Sequence, residues 1–238
     1  MSDRRALFEE VLALRPGGTA LLVVDMQRGF VDAGEAMEVP AAREAIPRVL
    51  ELVQLFRAKG RPVIFTEFVY SEAAPLLVGV LHPEHRRATP GAARGFGRPS
   101  SSCHEDDPSV HTVAALAPRP DELVVRKRWY DAFAGTPLDG ALRARGVDTL
   151  VVTGTMTDIC VLATVTGAFN HEYRITVVED AVATLWPDIQ RATLDVIGRA
   201  YGRVASTKEV VDVVSAWPIH GAGASPIHGV SGSPVHGA

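Results

Sequence analysis

Short apolar runs alternate with amphipathic stretches along most of the chain. The runs are rich in Val, Leu and Ile, which is typical of strands buried on both faces of a sheet. The stretches between them repeat apolar residues every three or four positions, which indicates helices. The predicted strands span 20–25, 62–66, 122–125, 149–153, 175–178 and 203–205, and the predicted helices span 41–59, 138–145, 157–171, 188–201 and 208–216.

This alternation predicts an α/β fold with three layers (α/β/α) around a doubly wound, six-stranded parallel sheet of the Rossmann-like kind. Ligands of such sheets bind beyond the carboxyl ends of the strands, where the strand order reverses. We therefore expect the functional residues directly after the strands.

Two segments depart from the alternation. Residues 69–120 are rich in Pro, Gly, Ser and His, and they are predicted to form an excursion that covers the site or makes a subunit contact; the alternative is a solvated loop without function. Residues 218–238 repeat a Pro-Ile/Val-His-Gly unit between Gly, Ala and Ser spacers, which predicts a disordered low-complexity tail. Its three His could hold a metal weakly, but a tail without metal is favoured. Residues 1–217 are expected to form a single domain.

Composition and charge exclude several classes of protein. The 238 residues carry a net charge of −4 with both signs scattered, so no nucleic-acid partner is expected. No apolar run approaches the roughly 18 residues of a membrane span, so no membrane partner is expected. The polar N-terminus lacks a signal-peptide core, which predicts a cytoplasmic location. The two distant cysteines, Cys103 and Cys160, do not make a disulfide framework.

Cys160 is the most informative residue for function. It is predicted to lie in the first turn of a helix, just past the strand that ends near Gly154. The N–H groups and partial positive charge of a helix N-terminus can lower the pKa of a thiol and make it a nucleophile. The alternative is a small buried apolar residue, the commoner role of an intracellular cysteine.

Asp25 and Lys127 end the first and third predicted strands, so they should share one edge of the sheet with Cys160. Asp25 could simply cap a turn, and Lys127 could be a solvated member of the basic triplet 126–128. Together, however, an acid, a base and a thiol form a plausible catalytic set. The ammonium favours the thiolate, and the carboxylate can take the thiol proton and return it to a leaving amine. The backbone N–H groups of Met156 and Cys160 could form an oxyanion hole.

Three segments in this order, 21–30, 127–138 and 146–161, resemble the isochorismatase-like cysteine hydrolase superfamily, and the resemblance covers about residues 19–214. This superfamily includes N-carbamoylsarcosine, maleamate and ureidoacrylate amidohydrolases. The resemblance implies a catalytic triad of Asp25, Lys127 and Cys160, and a cis peptide bond between Thr155 and Met156 that turns the Met156 N–H into the oxyanion hole. It also implies a sheet of six parallel strands, no cofactor, and a homodimer or homotetramer.

Departures from the motifs of individual superfamily members narrow the class of substrate. Nicotinamidases carry an Asp-x-His-x-x-His metal motif after the second strand, whereas residues 66–72 here contain no His. The nearest alternative, 82–85, is interpreted as surface residues, so no metal is expected. Isochorismatases lack the nucleophilic cysteine. A nicotinamidase-type or isochorismatase-type hydrolase is therefore disfavoured and stays a further alternative. The sequence therefore predicts hydrolysis of the C–N bond in a small amide, carbamoyl or ureido compound through a thioester acyl-enzyme.

Two other classes of function remain as alternatives. A catalytically silent relative could serve as a binding or scaffold protein. A dinucleotide-binding oxidoreductase would fit the parallel sheet, but the first strand is not followed by Gly-x-Gly-x-x-Gly.

Substrate-binding residues are predicted less sharply. Four aromatic residues could form an apolar wall near the triad or could merely pack the core, and five arginines could hold a substrate carboxylate. Cys103 is interpreted as an incidental exposed thiol, although a dyad with His104 is conceivable. The aromatic residues are Phe30, Trp129, Tyr130 and Phe133, and the arginines are Arg28, Arg94, Arg98, Arg126 and Arg128.

Overall fold

The computed structural model describes Phe8, residues 10–71, Ala73, residues 77–81 and residues 102–219. Six strands form one sheet in which every neighbouring pair is parallel. The strands are β1 (Thr19–Val24), β2 (Val63–Phe68), β3 (Leu123–Lys127), β4 (Thr149–Thr155), β5 (Arg174–Ala183) and β6 (Arg203–Ala205).

Helices connect the strands and cover both faces of the sheet. Two short 3₁₀ turns, Pro108–Val110 and Ala114–Leu116, precede β3, and a π turn, Thr157–Val161, follows β4. The α-helices are α1 (Arg28–Val31), α2 (Pro40–Ala58), α3 (Val78–Leu81), α4 (Leu138–Arg143), α5 (Leu162–Asn170), α6 (Pro187–Ala200) and α7 (Thr207–Ser215).

The strand order is β3-β2-β1-β4-β5-β6, which confirms the predicted three-layer α/β fold. The order reverses between β1 and β4, so this topology places a ligand crevice at the carboxyl ends of these two strands. β1, β2 and β4 are buried along their whole length, because α2 and α7 pack on one face and α4, α5 and α6 on the other.

Two elements differ from their predictions. β5 continues to Ala183, well beyond the predicted end at 178, through two exposed acidic residues, Glu179 and Asp180, which interrupt the apolar pattern. The predicted helix 157–171 consists of the π turn followed by α5. Among the described residues, no helix is both long and apolar enough to cross a membrane.

The excursion at 69–120 is described in part. Tyr70 makes a parallel bridge with His104, and Gln27 makes an antiparallel bridge with Thr112, so the part from 102 onwards lies against the chain that follows β1 and β2. The candidate surface His at 82 and 85, Arg94, Arg98 and the repeats from 220 onwards lie outside the described residues.

Candidate active site

Asp25 lies directly after β1 in a left-handed backbone conformation, with φ at 47°. Aspartate is among the few non-glycine residues that adopt this conformation readily. The carboxylate is fully buried, and Thr66 of β2 donates its hydroxyl to Oδ1 at 2.6 Å. The end of β1 and the neighbouring strand thus fix the acid at the carboxyl edge of the sheet.

Lys127 ends β3 and reaches across β2 toward Asp25. Its side chain is buried, and its Nζ lies 2.6 Å from Asp25 Oδ2. The ammonium also donates to the carbonyl oxygens of Trp129 at 3.2 Å and Tyr130 at 3.1 Å, and it lies 5.5 Å from the centroid of the Phe68 ring. A buried ammonium needs such partners, because leaving it unpaired costs several kcal/mol.

Gly154 allows β4 to approach β1 closely just before the site. Its φ is +114°, and a Cβ at this position would overlap the carbonyl oxygen of Val24. The register with β5 also shifts between Val152 and Gly154. A larger residue would therefore push the turn that carries Met156 and Cys160 away from Asp25.

The turn after β4 presents Cys160 to the buried ion pair. The peptide bond between Thr155 and Met156 is cis. In the π turn, Val161 donates its N–H to the Met156 carbonyl at 3.0 Å. The Cys160 thiol lies close enough to Asp25 and Lys127 for both side chains to shift its pKa. The structure thus brings together the three side chains that the sequence placed at three different strand ends.

The pKa of Cys160 does not follow the sequence prediction. Burial raises the pKa of the thiol above its ordinary value, the Lys127 ammonium lowers it, and the Asp25 carboxylate raises it again, so the net shift is upward. The lowered pKa predicted from the helix N-terminus is therefore wrong for this site. Desolvation and a nearby negative charge both disfavour a thiolate. The sequence placed Asp25 near Cys160, but it did not reveal how deeply the thiol is buried.

The pKa values of Lys127 and Tyr130 are also shifted by burial and by neighbouring groups. Burial lowers the pKa of Lys127, but its interactions with Asp25 and Cys160 outweigh burial, and the pKa is raised overall. Lys127 therefore stays a cation at neutral pH. Burial and Cys160 raise the pKa of Tyr130 to about 12, with Lys127 opposing them. Tyr130 is thus a neutral phenol that lies close to the triad positions.

Two of the four predicted wall residues line a cavity beside Lys127. Trp129 and Tyr130 line this cavity of about 180 Å³ together with Arg128, Leu77 and other apolar side chains of 77–81. Arg128 is the candidate arginine that lies in this lining. We name this cavity the aromatic cavity.

The other two predicted wall residues do not line this cavity. Phe30 is buried in the core cluster on the α2 face of the sheet. Phe133 stacks on His171 at 5.1 Å between ring centroids and packs against Tyr173 at 5.6 Å, in the cluster on the opposite face. Their proximity to the motifs along the chain did not reveal these core contacts.

Gln27 organises the site, a role that was not predicted from the sequence. Its side chain is fully buried. Nε2 donates to the carbonyls of Phe68 at 2.8 Å and Val110 at 2.6 Å, and Oε1 accepts the N–H of Phe68 at 2.8 Å. This amide joins the chain after β1 to the end of β2 and to the 102–113 segment. The sequence signal that could have revealed this role is a polar residue two positions after Asp25.

Glu67 lies in the 66–72 region, where nicotinamidases carry their metal motif. This buried carboxylate accepts the N–H of Thr112 at 2.9 Å and its hydroxyl at 3.2 Å. Arg126 Nε lies 3.5 Å and His111 Nδ1 lies 3.9 Å from the carboxylate. Within the described ranges, no group of three or more His, Cys, Asp or Glu side chains could hold a metal ion.

Cys103 is not the exposed thiol that the sequence predicted. It is fully buried with φ at 56°, and its backbone N–H donates to the Ser109 hydroxyl oxygen at 2.9 Å. The 102–113 segment folds onto α1, where Gly29 has no side chain to keep it away: a Cβ there would lie 2.8 Å from the Cys103 sulfur. Burial raises the pKa of this thiol well above its ordinary value.

Comparison with known proteins agrees with the fold and the family that the sequence predicts. A family model described as the isochorismatase domain matches residues 19–209. A ureidoacrylate amidohydrolase RutB from Methylobacterium radiotolerans is 31% identical over 214 residues, covering 82% of this chain and 79% of that protein.

Two solved structures share the fold. A cysteine hydrolase from Pseudomonas syringae pv. phaseolicola has a TM-score of 0.75 and 29% identity, covering 85% of this chain and 94% of that chain. An N-carbamoylsarcosine amidase from Thermoplasma acidophilum has a TM-score of 0.63 and 28% identity, covering 80% of this chain and 96% of that chain. The match of the family model over most of the chain confirms the resemblance: this chain belongs to the isochorismatase family.

Proposed function

We propose that this chain is a cysteine hydrolase that cleaves the C–N bond of a small amide, carbamoyl or ureido compound through a thioester acyl-enzyme. The observation that carries the proposal is the buried pair of Lys127 Nζ and Asp25 Oδ2, 2.6 Å apart, beside the buried Cys160 thiol, whose pKa both groups shift. The names of the amidohydrolase and amidase relatives support a hydrolase that acts on C–N bonds.

In the first half-reaction, Asp25 removes the thiol proton as the Cys160 sulfur attacks the substrate carbonyl carbon. The raised pKa of Cys160 supports this order, because a neutral resting thiol needs a base at the moment of attack. The C–S bond forms and the carbonyl electron pair moves to oxygen. When the C–N bond breaks, Asp25 returns the proton to the leaving nitrogen.

The oxyanion of this tetrahedral intermediate is proposed to accept hydrogen bonds from the backbone N–H groups of Met156 and Cys160. Met156 lies at the start of the π turn and Cys160 lies within it. The Lys127 ammonium stabilises negative charge nearby and holds Asp25 in place. Donors that are already oriented in a buried site stabilise developing charge more than water does.

In the second half-reaction, water hydrolyses the thioester. Asp25 takes a proton from the water as its oxygen attacks the acyl carbon. The C–S bond then breaks, the acid product leaves, and the sulfur regains the proton from Asp25. Lys127 keeps its proton throughout, in keeping with its raised pKa.

The aromatic cavity is the proposed site for the part of the substrate beyond the scissile bond. Its volume of about 180 Å³ favours a small molecule. Tyr130 joins the cavity to the triad positions, since its carbonyl accepts a hydrogen bond from Lys127. Trp129 and Tyr130 offer flat apolar surfaces, and Arg128 offers a cation at the same cavity.

The test is to trap the acyl-enzyme. The purified chain is incubated with a panel of small amides, carbamoyl and ureido compounds, ammonia or amine release is measured, and samples are quenched in acid for intact-mass and peptide-mapping mass spectrometry. We expect turnover of at least one member of the panel and an acyl mass on the peptide that contains Cys160.

The matched control is Cys160→Ser with the same panel. Turnover by this variant at the wild-type rate, or an acyl group on another residue, would contradict the proposed nucleophile. No turnover of any compound would support the silent binding or scaffold protein instead.

A further inference from the structure

A second cavity lies at the opposite edge of the sheet from the triad positions. Its volume is about 460 Å³, and it is lined by the amino-terminal ends of β1, β2 and β3, including Thr19, Val63 and Leu123. The whole length of the strands separates it from Asp25 and Lys127. We name it the basal cavity.

Four arginines and two acidic residues line the basal cavity. One pair is already neutralised: Arg57 donates to both oxygens of Glu122, at 2.8 and 2.7 Å, and Glu122 also accepts the N–H of Arg119. Glu122 is therefore fully engaged. The remaining charged side chains are Arg61, Arg119, Arg145 and Asp121.

Arg61 is the buried cation of this group. It is only 9% exposed, its Nη2 donates to the carbonyl of Pro218 at 3.2 Å, and its guanidinium carbon lies 5.8 Å from the centroid of the Trp217 ring. Both partners are neutral. Its Nε is buried without a hydrogen-bond partner in the structure.

The charge of Arg61 is also uncompensated. No carboxylate among the described residues forms an ion pair with it, and burial lowers its pKa without an acid to oppose the shift. A buried cation with an unused N–H is unfavourable unless an anion or water completes it. Arg119 and Arg145 add two more guanidinium groups to the same cavity.

We propose that the basal cavity binds a small anion whose carboxylate or phosphate group pairs with Arg61. A guanidinium presents two parallel N–H donors that match the oxygens of either group. Arg119 and Arg145 contribute positive charge at the cavity, and the volume accommodates an anion larger than phosphate alone. This site is separate from the proposed hydrolysis and does not depend on it.

The test is isothermal titration calorimetry with inorganic phosphate and, separately, with succinate, at constant ionic strength set by chloride. We expect saturable binding of at least one anion. Arg61→Gln should weaken it about tenfold or more, since a hydrogen bond to a charged group is worth about 1.5–3 kcal/mol. Preference for phosphate or for succinate identifies which group the cavity selects.

Controls separate this site from general charge effects and from folding. Arg191→Gln removes an exposed arginine that pairs with Asp188 on α6 and should bind as the wild type does, as should Cys160→Ser. Because Arg61 also contacts the chain end, Arg119→Gln provides a second variant at an exposed position, with an expected loss of about threefold.

Two results would overturn the inference. One is the absence of saturable binding of both anions to the wild-type protein. The other is equal binding by the wild type, Arg61→Gln and Arg119→Gln, which would place any bound anion elsewhere.

Discussion

The two cysteines of this chain are both buried near the carboxyl edge of the sheet, yet their surroundings differ. Cys160 lies within reach of a carboxylate and an ammonium. The Cys103 sulfur lies 3.9 Å from the Ser102 hydroxyl and 3.9 Å from the Ser109 carbonyl. Burial raises the pKa of both thiols.

This comparison shows that solvent exposure does not distinguish the candidate nucleophile, Cys160, from Cys103. Desolvation keeps both sulfurs protonated, but the Cys160 thiol lies beside a cation that lowers its pKa, and the Asp25 carboxylate paired with that cation is the proposed base. The proposed reactivity of Cys160 thus depends on two adjacent groups. Asp25 takes the thiol proton during the attack, and the charge of Lys127 stabilises the thiolate.

Exchanging each thiol for a hydroxyl should give the largest contrast. Cys160→Ser is expected to lower kcat by at least about 10³-fold, because a serine hydroxyl is a poorer nucleophile without the geometry built for it. Cys103→Ser should keep kcat close to the wild-type value. Steady-state kinetics on the best substrate of the panel measures both. Equal losses of kcat in the two variants would contradict the different roles assigned to the two cysteines.

The charges beside Cys160 should shift its reactivity in opposite directions. Asp25→Asn removes a group that raises the pKa of Cys160, and Lys127→Met removes one that lowers it. At pH 8, alkylation by iodoacetamide should become about tenfold faster in the first variant and about tenfold slower in the second, for each unit of pKa change.

This measurement is made in a Cys103→Ser background, so that only Cys160 can react. Circular dichroism checks that each variant is folded, since removing one partner of a buried ion pair destabilises a protein. Shifts of the same sign in folded variants would contradict the assigned electrostatics.

The packing around Cys103 can be tested through Gly29. In Gly29→Ala, the new Cβ would overlap Ser102 Oγ and come within 2.8 Å of the Cys103 sulfur, so we expect a loss of about 1–3 kcal/mol in the free energy of unfolding. Gly140→Ala is the matched control, because no atom lies within 4 Å of its added Cβ. Urea denaturation measures both, and an unchanged midpoint for Gly29→Ala would show that the segment is loosely packed.

The smallest expected effect is on the pH dependence of stability. A thiol whose pKa is raised by folding contributes stability that is present below its unfolded pKa of about 8.5 and is lost as pH rises above that value. The wild type should therefore lose up to about 1.4 kcal/mol per pH unit for each buried thiol between pH 8.5 and 10. Cys103→Ser should show a shallower loss in urea denaturation at each pH, and an identical slope would contradict the raised pKa of Cys103.

The sheet was predictable because its strands carry continuous apolar runs that only a doubly covered sheet can bury. From their positions at the ends of parallel strands, Asp25, Lys127 and Cys160 were expected at one edge, and the structure places them there. The end of β5 was missed because Glu179 and Asp180 break the pattern while the strand continues.

The chemistry of the site was less predictable than its location. The sign of the Cys160 pKa shift depends on burial and on the distance to Asp25, which are tertiary properties. The burial of Cys103 depends on an irregular segment without apolar periodicity. Phe133 follows the Lys127 motif closely along the chain, but its ring turns toward His171.

The position of β1 between β2 and β4 has a consequence for biosynthesis. At about 5–20 residues per second, several seconds separate the emergence of β2 from that of β4 on the ribosome. During that interval β1 lacks its second neighbour, and an apolar strand edge is open to intermolecular pairing. β4 covers this edge, and the turn that carries Cys160 follows β4 directly. The edge of β1 is therefore protected from aggregation at about the time that Cys160 reaches the site.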